Sequence, residues 1–249
     1  MKKRHILLLP LIVVQLFCFS QKPKVMNDPT HDDRPIHFGF SVGVNFMDYR
    51  IEHSEAADNA GVFIGLEEVL PGFTVNAIVN LRITENFDFR TLPGISFGER
   101  HLYYIDSSGY GNSIYPEPGS GRTSYYKSPS SYIEIPVCLK YKAKRLNNFR
   151  PYLIGGANFR WDLTIKDSYD DEDQLIMTDV FNAFGEVGTG MDFYMTYFKL
   201  GIEIKYSFGL WNILNRTNSK GEIDEELAHF TDYIDKITAH MVVVSFHFE

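Results

Sequence analysis

The chain has 249 residues, with 24 Lys and Arg against 32 Asp and Glu, a formal charge of −8, and 44% hydrophobic and 15% aromatic residues. These figures exclude a disordered tail, a basic nucleic-acid binder and a disulfide scaffold. A near-average mean hydropathy also argues against a bundle of membrane helices, but leaves open a membrane barrel, whose strands alternate in polarity.

Lys2, Lys3 and Arg4 precede a run from Ile6 to Phe19 that is apolar apart from Gln15, and the polar Gln21-Lys22-Pro23-Lys24 follows. This reads as a secretory signal peptide over residues 1–20, cut after Ser20. The apolar run is shorter than the roughly 20 residues a membrane anchor needs, and Pro10 breaks it. Cys18 follows the bulky Phe17, where a lipoprotein signal wants a small residue. Cleavage removes three positive charges and no acidic ones, and leaves Cys138 without a disulfide partner.

Past a polar lead rich in Pro, Asp and Lys, one pattern repeats to Phe248, and its period is two. In the first run Phe38, Phe40, Val42, Val44 and Phe46 alternate with Gly39, Ser41, Gly43 and Asn45. The second sets Phe73, Val75, Ala77, Val79, Leu81 and Ile83 against a polar face that only Ile78 interrupts. In the third, Phe87, Phe89, Ile95 and Phe97 oppose Asp88, Arg90, Ser96 and Arg100, with Pro93 marking a bulge or local break. The fourth opposes Ile133, Ile135, Val137, Leu139 and Tyr141 to Glu134, Pro136, Cys138, Lys140 and Lys142. The fifth opposes Leu153, Ala157, Phe159, Trp161 and Leu163 to Tyr152, Gly156, Asn158, Arg160 and Asp162. The sixth alternates Phe181, Ala183, Val187, Met191 and Phe193 with Asn182, Phe184, Glu186, Gly188, Gly190 and Asp192. The seventh is the most regular, with Phe198, Leu200, Ile202, Ile204, Tyr206, Phe208 and Leu210 against Lys199, Gly201, Glu203, Lys205, Ser207 and Gly209. The eighth carries Val242, Val244, Phe246 and Phe248 on one face.

Connections after the second, fourth and sixth strands are short, and those after the odd-numbered ones are long and polar, the layout of outer-membrane barrels. An up-and-down soluble barrel shares the strand count. Three features favour the membrane. The polar face is crowded with Gly and Ser, as a narrow lumen requires; the apolar face is bulky, with aromatics toward its ends; and Val244, Phe246 and Phe248 resemble the assembly signal of barrels inserted by the outer-membrane machinery. The expectation is therefore an all-β fold, an eight-stranded antiparallel up-and-down transmembrane β-barrel of the outer membrane. A signal peptide (1–20) and a polar periplasmic segment (21–36) precede the barrel domain (37–249), with the termini periplasmic and the long loops extracellular.

On this reading Arg82, Arg90, Arg100, Lys140, Lys142, Arg160, Lys199 and Lys205 face Asp88, Glu134, Asp162, Glu186, Asp192 and Glu203 across the lumen. Opposite charges confined there must pair, because an isolated buried charge is costly. The result is a plugged barrel whose charges serve structure first, with an ion or proton path as the alternative role.

Other chemistry is weakly signalled. Asp106-Ser107-Ser108 with His101 offers the residues of a hydrolase, but in a Gly- and Pro-rich loop without a nucleophile elbow. Asp167 to Asp173 is acidic but lacks EF-hand spacing, and the histidines show no zinc motif. No catalytic, metal or cofactor residue is expected. Gly221 to Lys236, with Leu227, Phe230, Tyr233 and Ile234, has partial helical spacing that suggests a short amphipathic helix.

Several strings resemble the PorT family of the Bacteroidetes type IX secretion system. They are Ile36-His37-Phe38-Gly39-Phe40 with Asn45 and Met47-Asp48-Tyr49-Arg50-Ile51; Pro71-Gly72-Phe73; Asn80-Leu81-Arg82; Leu92-Pro93-Gly94-Ile95-Ser96-Phe97-Gly98-Glu99-Arg100; Tyr132-Ile133-Glu134-Ile135-Pro136 through Lys140-Tyr141-Lys142-Ala143-Lys144-Arg145; Arg150-Pro151-Tyr152-Leu153-Ile154-Gly155-Gly156; and Ser245-Phe246-His247-Phe248-Glu249. The resemblance implies an integral outer-membrane barrel required for export of proteins with C-terminal sorting domains and, in gliding species, of motility adhesins. It implies no catalytic residues. Expected partners are outer-membrane lipid, the barrel-assembly machinery and other secretion components, with no nucleic acid. The alternative is a small outer-membrane barrel for surface adhesion or host interaction.

Overall fold

The computed structural model describes residues 26–55, 57, 62–106, 123–164, 178–215 and 233–249. The ten strand segments are β1 (Ile36–His53), β2 (Val62–Val69), β3 (Pro71–Arg82), β4 (Phe87–Thr91), β5 (Gly94–Asp106), β6 (Thr123–Lys142), β7 (Phe149–Asp162), β8 (Phe181–Tyr194), β9 (Lys199–Gly209) and β10 (Ile234–Phe248). Neighbouring strands pair antiparallel, in the order β1, β10, β9, β8, β7, β6. β6 continues onto β4 and β5, both of which pair with β3, and β3 closes onto β1. β2 and β3 are one strand interrupted at Leu70, and β4 and β5 one strand interrupted at Leu92-Pro93, so the ring has eight members.

Pro93 breaks its strand because it has no N–H to give the ladder. The flanking groups are recruited all the same: Ala77 N–H donates to the Pro93 carbonyl at 2.9 Å and Leu92 N–H to the Pro136 carbonyl at 3.3 Å.

Burial runs opposite to that of a water-soluble barrel. Phe73, Val75 and Leu81 of β3 are exposed, whereas Thr74, Asn76 and Asn80 are buried, together with the exceptional Ile78. Such an apolar exterior is stable only in lipid. On β1 it runs from Ile36 to Phe46 and gives way to the exposed Asp48 and Arg50. From Phe38 to Phe46 the strand rises by about 27 Å, which once tilted approaches the roughly 25 Å band of outer-membrane barrels. Aromatic pairs mark both borders: Phe40 with Phe248 (4.9 Å) and Phe87 with Tyr141 (5.0 Å) at the short-turn rim, Trp161 with Phe181 (5.2 Å) toward the long loops.

Two expectations need correction. β2 occupies part of what reads as the first long loop, β1 reaches His53, and β6 starts well before Ser131. Ile234 to Lys236 are strand, not helix, and the rest of the Gly221 to Lys236 reading lies outside the described residues apart from Tyr233. Within the polar lead, a 3-10 turn at His31–Asp33 folds the chain against the barrel mouth. The signal peptide, Ser107 and Asp167 to Asp173 lie outside the described residues.

Candidate functional site: the charged lumen

Side chains on alternate positions of every strand point inward, so a strand's even or odd residues share one fate. Of the fourteen charges named from the pattern, thirteen are buried; Arg82, at the short-turn mouth, is partly exposed.

Nearest the mouth, Lys142 pairs with Asp88 at 2.6 Å, and Asp88 also accepts from Asn80 Nδ2 at 2.9 Å. Arg90 donates through Nε to Asn80 Oδ1 at 3.1 Å and pairs through Nη2 with Glu249. Lys199 reaches the other Glu249 oxygen at 2.7 Å. Deeper, Lys140 pairs with Asp192 at 2.7 Å while its ammonium sits 3.6 Å from the centre of the Tyr152 ring, a cation–π contact. Tyr152 donates its hydroxyl to Glu203 at 2.9 Å, and His247 Nε2 lies 3.5 Å from the same carboxylate.

At mid-height Arg160 bridges two carboxylates, Glu134 at 3.1 Å and Glu186 at 3.3 Å. Asn158 donates to both, at 3.0 and 2.9 Å. Glu186 further holds Lys205 at 2.8 Å and accepts from Ser207 at 2.8 Å, while Glu134 accepts from Asn76 and Ser96. Arg100, higher still, makes no hydrogen bond to a carboxylate among the described residues. It donates to Tyr49 (2.9 Å), Ser130 (2.7 Å) and Tyr132 (3.2 Å), and its guanidinium lies 4.0 Å from the Tyr49 ring centre. Asp162 turns to the backbone and accepts from Thr164 N–H at 2.9 Å.

Above Arg100 the filling becomes apolar: Tyr49, Ile64, Leu102, Phe184, Ile213, Ile234 and Ile237 pack together. Within the charged zone, between the Glu203 and Glu134 layers, lies a polar cavity of about 10 Å³, edged by Ser41, Thr74, Arg160, Glu203, Ser245 and His247, with space for about one water. The interior is thus plugged from the apolar zone down to the mouth.

Alternation would have revealed more of this lining. His247 and Arg150 share the inward parity of Ser245 and Tyr152, and Glu249 continues the same series. Asp32 carries no periodic signal. Its carboxylate accepts from the Tyr194 hydroxyl at 2.8 Å and faces Arg150 at 3.3 Å. Burial alone would raise its pKa, but the Tyr194 hydrogen bond and the charges of Arg150, Lys142 and Lys199 together hold it below the ordinary 3.8.

Of the residues read as a weak hydrolase signal, Ser107 and Ser108 lie outside the described residues, and His101 on β5 bonds Glu99 at 2.7 Å. No group of three His, Cys, Asp or Glu there is placed to hold a metal. Val244, Phe246 and Phe248 all lie on the outward face of β10.

The chain is similar to the Neisserial surface protein A, NspA (12% identity, 86% of this chain and 98% of that one, TM-score 0.38). It is also similar to OprG from Pseudomonas aeruginosa (10%, 86% and 92%, 0.46). A third likeness is to Ail, the attachment invasion locus protein of Yersinia pestis, in complex with the heparin analogue sucrose octasulfate (11%, 85% and 96%, 0.36). No curated protein matches the sequence. Residues 19–215 match the family described as outer membrane protein beta-barrel domain; with its ring of eight strands, apolar exterior and charged interior, the chain belongs to that family and is an outer-membrane protein.

Proposed function

We propose that this barrel is a non-enzymatic component of the type IX secretion system, needed for export of cargo with C-terminal sorting domains and acting in an accessory or assembly role beside the conduit. The resemblance of the strings from Ile36 to Glu249 to the PorT family supports the system. The observation that carries the role is the lumen: thirteen buried charges locked in ion pairs and hydrogen bonds leave no passage for a polypeptide. Opening it would break several buried pairs at a cost of about 3–5 kcal/mol each. Rims and loops are then the working surfaces. In this reading the short turns and termini face the periplasm and the long loops the exterior, with lipid, the assembly machinery and other secretion components as partners.

Deleting the gene and comparing culture-medium proteomes tests this, with outer-membrane location checked by heat-shifted gel migration. Cargo with sorting domains should accumulate in the cell envelope. Normal export of that cargo would refute the secretion role. A second reading, surface adhesion or host interaction, has one observation in its favour: β1, β2 and β5 continue past the apolar band and present Arg50 and Phe63 to solvent. It predicts that deletion changes surface binding alone.

A further inference from the structure

Residues 27–33 lie across the short-turn mouth. They precede β1, and besides Arg82 of the neighbouring β3 they reach the turns of β6–β7 and β8–β9 across the ring. Asn27 donates its N–H to Asn148 Oδ1 at 2.8 Å and its side-chain amide to the Tyr194 carbonyl at 3.0 Å. Arg145 donates to the carbonyls of Asn27 and of Asp28, the latter at 3.1 Å, and its guanidinium lies 3.5 Å from the Tyr194 ring centre. Arg82 donates to the Asp32 carbonyl and pairs with Asp33 at 3.5 Å. Asp32 reaches deepest, to Tyr194, Arg150 (3.3 Å) and Arg145 (3.8 Å).

Two properties of this arrangement matter. The strap has no apolar anchor: Met26, Asp28, Pro29 and Thr30 are exposed, and it is held by polar bonds, each worth about 1 kcal/mol net. The seat is cationic. Arg82, Arg145 and Arg150 converge from β3, the β6–β7 turn and β7, and the carboxylates the strap brings to them are Asp32 and Asp33. Guanidiniums prefer two-point binding to carboxylates, and here Arg82 and Arg145 give hydrogen bonds to the strap's backbone carbonyls at Asn27, Asp28 and Asp32.

We propose that the short-turn mouth is a receptor for an acidic peptide segment of a partner protein, and that the chain's own residues 27–33 occupy it until such a segment displaces them. The seat binds carboxylates through a tyrosine hydroxyl and three arginines. A segment with several consecutive acidic side chains satisfies these groups more fully than the strap does. The proposal concerns the mouth itself and stands whether or not the secretion role holds.

The test uses the full-length barrel in lipid nanodiscs, with Cys18→Ser and a nitroxide on Thr30→Cys reporting strap mobility; Cys138 is buried and does not compete for label. Hepta-aspartate is the probe. Sodium chloride at matched ionic strength, inorganic phosphate and hepta-serine form separate arms. Hepta-aspartate should mobilise the label saturably and the other three should not. Adding Asp32→Asn should tighten the apparent affinity for hepta-aspartate about tenfold, because a competing occupant is weakened. Arg145→Gln and Arg150→Gln should each weaken it at least about tenfold. Release by salt or phosphate as readily as by the peptide would overturn the receptor in favour of plain charge screening. A label that stays immobile at saturating peptide, or an affinity that Asp32→Asn leaves unchanged, would overturn it outright. The Asp32→Asn variant alters one rim carboxylate and leaves every strand intact, so the test survives even if an arginine variant fails to fold.

Discussion

Glu186 is the joint on which the mid-lumen network turns, and replacing it with Gln keeps the shape while removing the charge. Lys205 lies 2.8 Å and Arg160 3.3 Å from its two oxygens. At an effective dielectric of about 20 these distances correspond to attractions of about 6 and 5 kcal/mol before desolvation. Most of that offsets the cost of burying the ions, so the measurable effect of removing one partner is about 3–5 kcal/mol. Arg160 keeps Glu134 at 3.1 Å, so Lys205 bears most of the loss. Urea unfolding in phospholipid vesicles, followed by fluorescence of Trp161 and Trp211 and by heat-shifted gel migration, should show Glu186→Gln destabilised by about that amount. The double variant Glu186→Gln/Lys205→Met should recover most of it, since the stranded ammonium goes too. A loss below about 1 kcal/mol, or a double variant equal to the sum of the singles, would mean that the lumen charges are solvated and the plug does not exist.

Ile204, outward on β9 and paired with Val244 and Thr189, should cost about 2–4 kcal/mol when changed to Arg, whereas Asp48→Arg outside the apolar band should cost almost nothing; equal effects in the same vesicle assay would refute the membrane placement. A Cβ built on Gly156 falls 2.2 Å from the Val137 carbonyl oxygen and 2.6 Å from Cys138 Cα, while one on Gly155 finds nothing nearer than 3.6 Å. Gly156→Val should therefore lose about 3 kcal/mol or fail to fold and Gly155→Ala should fold normally, as read by heat-shifted migration; the reverse order would contradict the register of β6 and β7. Asp32 has its carboxyl held below 3.8, so its hold on the strap is fully present above that value and is lost as pH falls through the lower folded-state value. The Thr30→Cys nitroxide should stay immobile from pH 7 to 5 and loosen only below 3.8, with Asp32→Asn showing no such step; release between pH 5 and 7 would count against the assignment.

How legible each element is in the sequence depends on which solvent its outer face meets. β9 lies inside the lipid band, where apolar residues must point out and polar ones in, and the alternation from Phe198 to Leu210 displays it directly. Beyond the band water lies outside, and the polarity of the two faces reverses. Tyr49 points inward and Asp48 and Arg50 outward; on β10 Ile234, Ile237 and Ala239 are buried while Asp235 is exposed. A reading tuned to one polarity therefore stops β1 near Phe46 and starts the last strand late, leaving Tyr233 and Ile234 to a helix-like spacing. β2 is harder still, because a register shift between Leu66 and Glu68 interrupts its alternation. The lumen charges follow strand parity and are readable from it. Asp32 does not, since its place is set by a fold-back onto residues more than a hundred positions away, Arg145, Arg150 and Tyr194.

The ladder of Lys199, Glu203 and Lys205 between the apolar residues of β9 also matters before any barrel exists. During export the chain crosses the inner membrane unfolded, past machinery that diverts sufficiently apolar helical segments sideways into the bilayer. A charge near the centre of such a segment costs about 2.5–3.5 kcal/mol. With a charged residue at Lys199, Glu203 and Lys205, the stretch from Phe198 to Leu210 does not pass for a membrane helix, even though every second residue is fit for lipid. The charges that lock the lumen thus also keep this stretch from resembling a membrane helix.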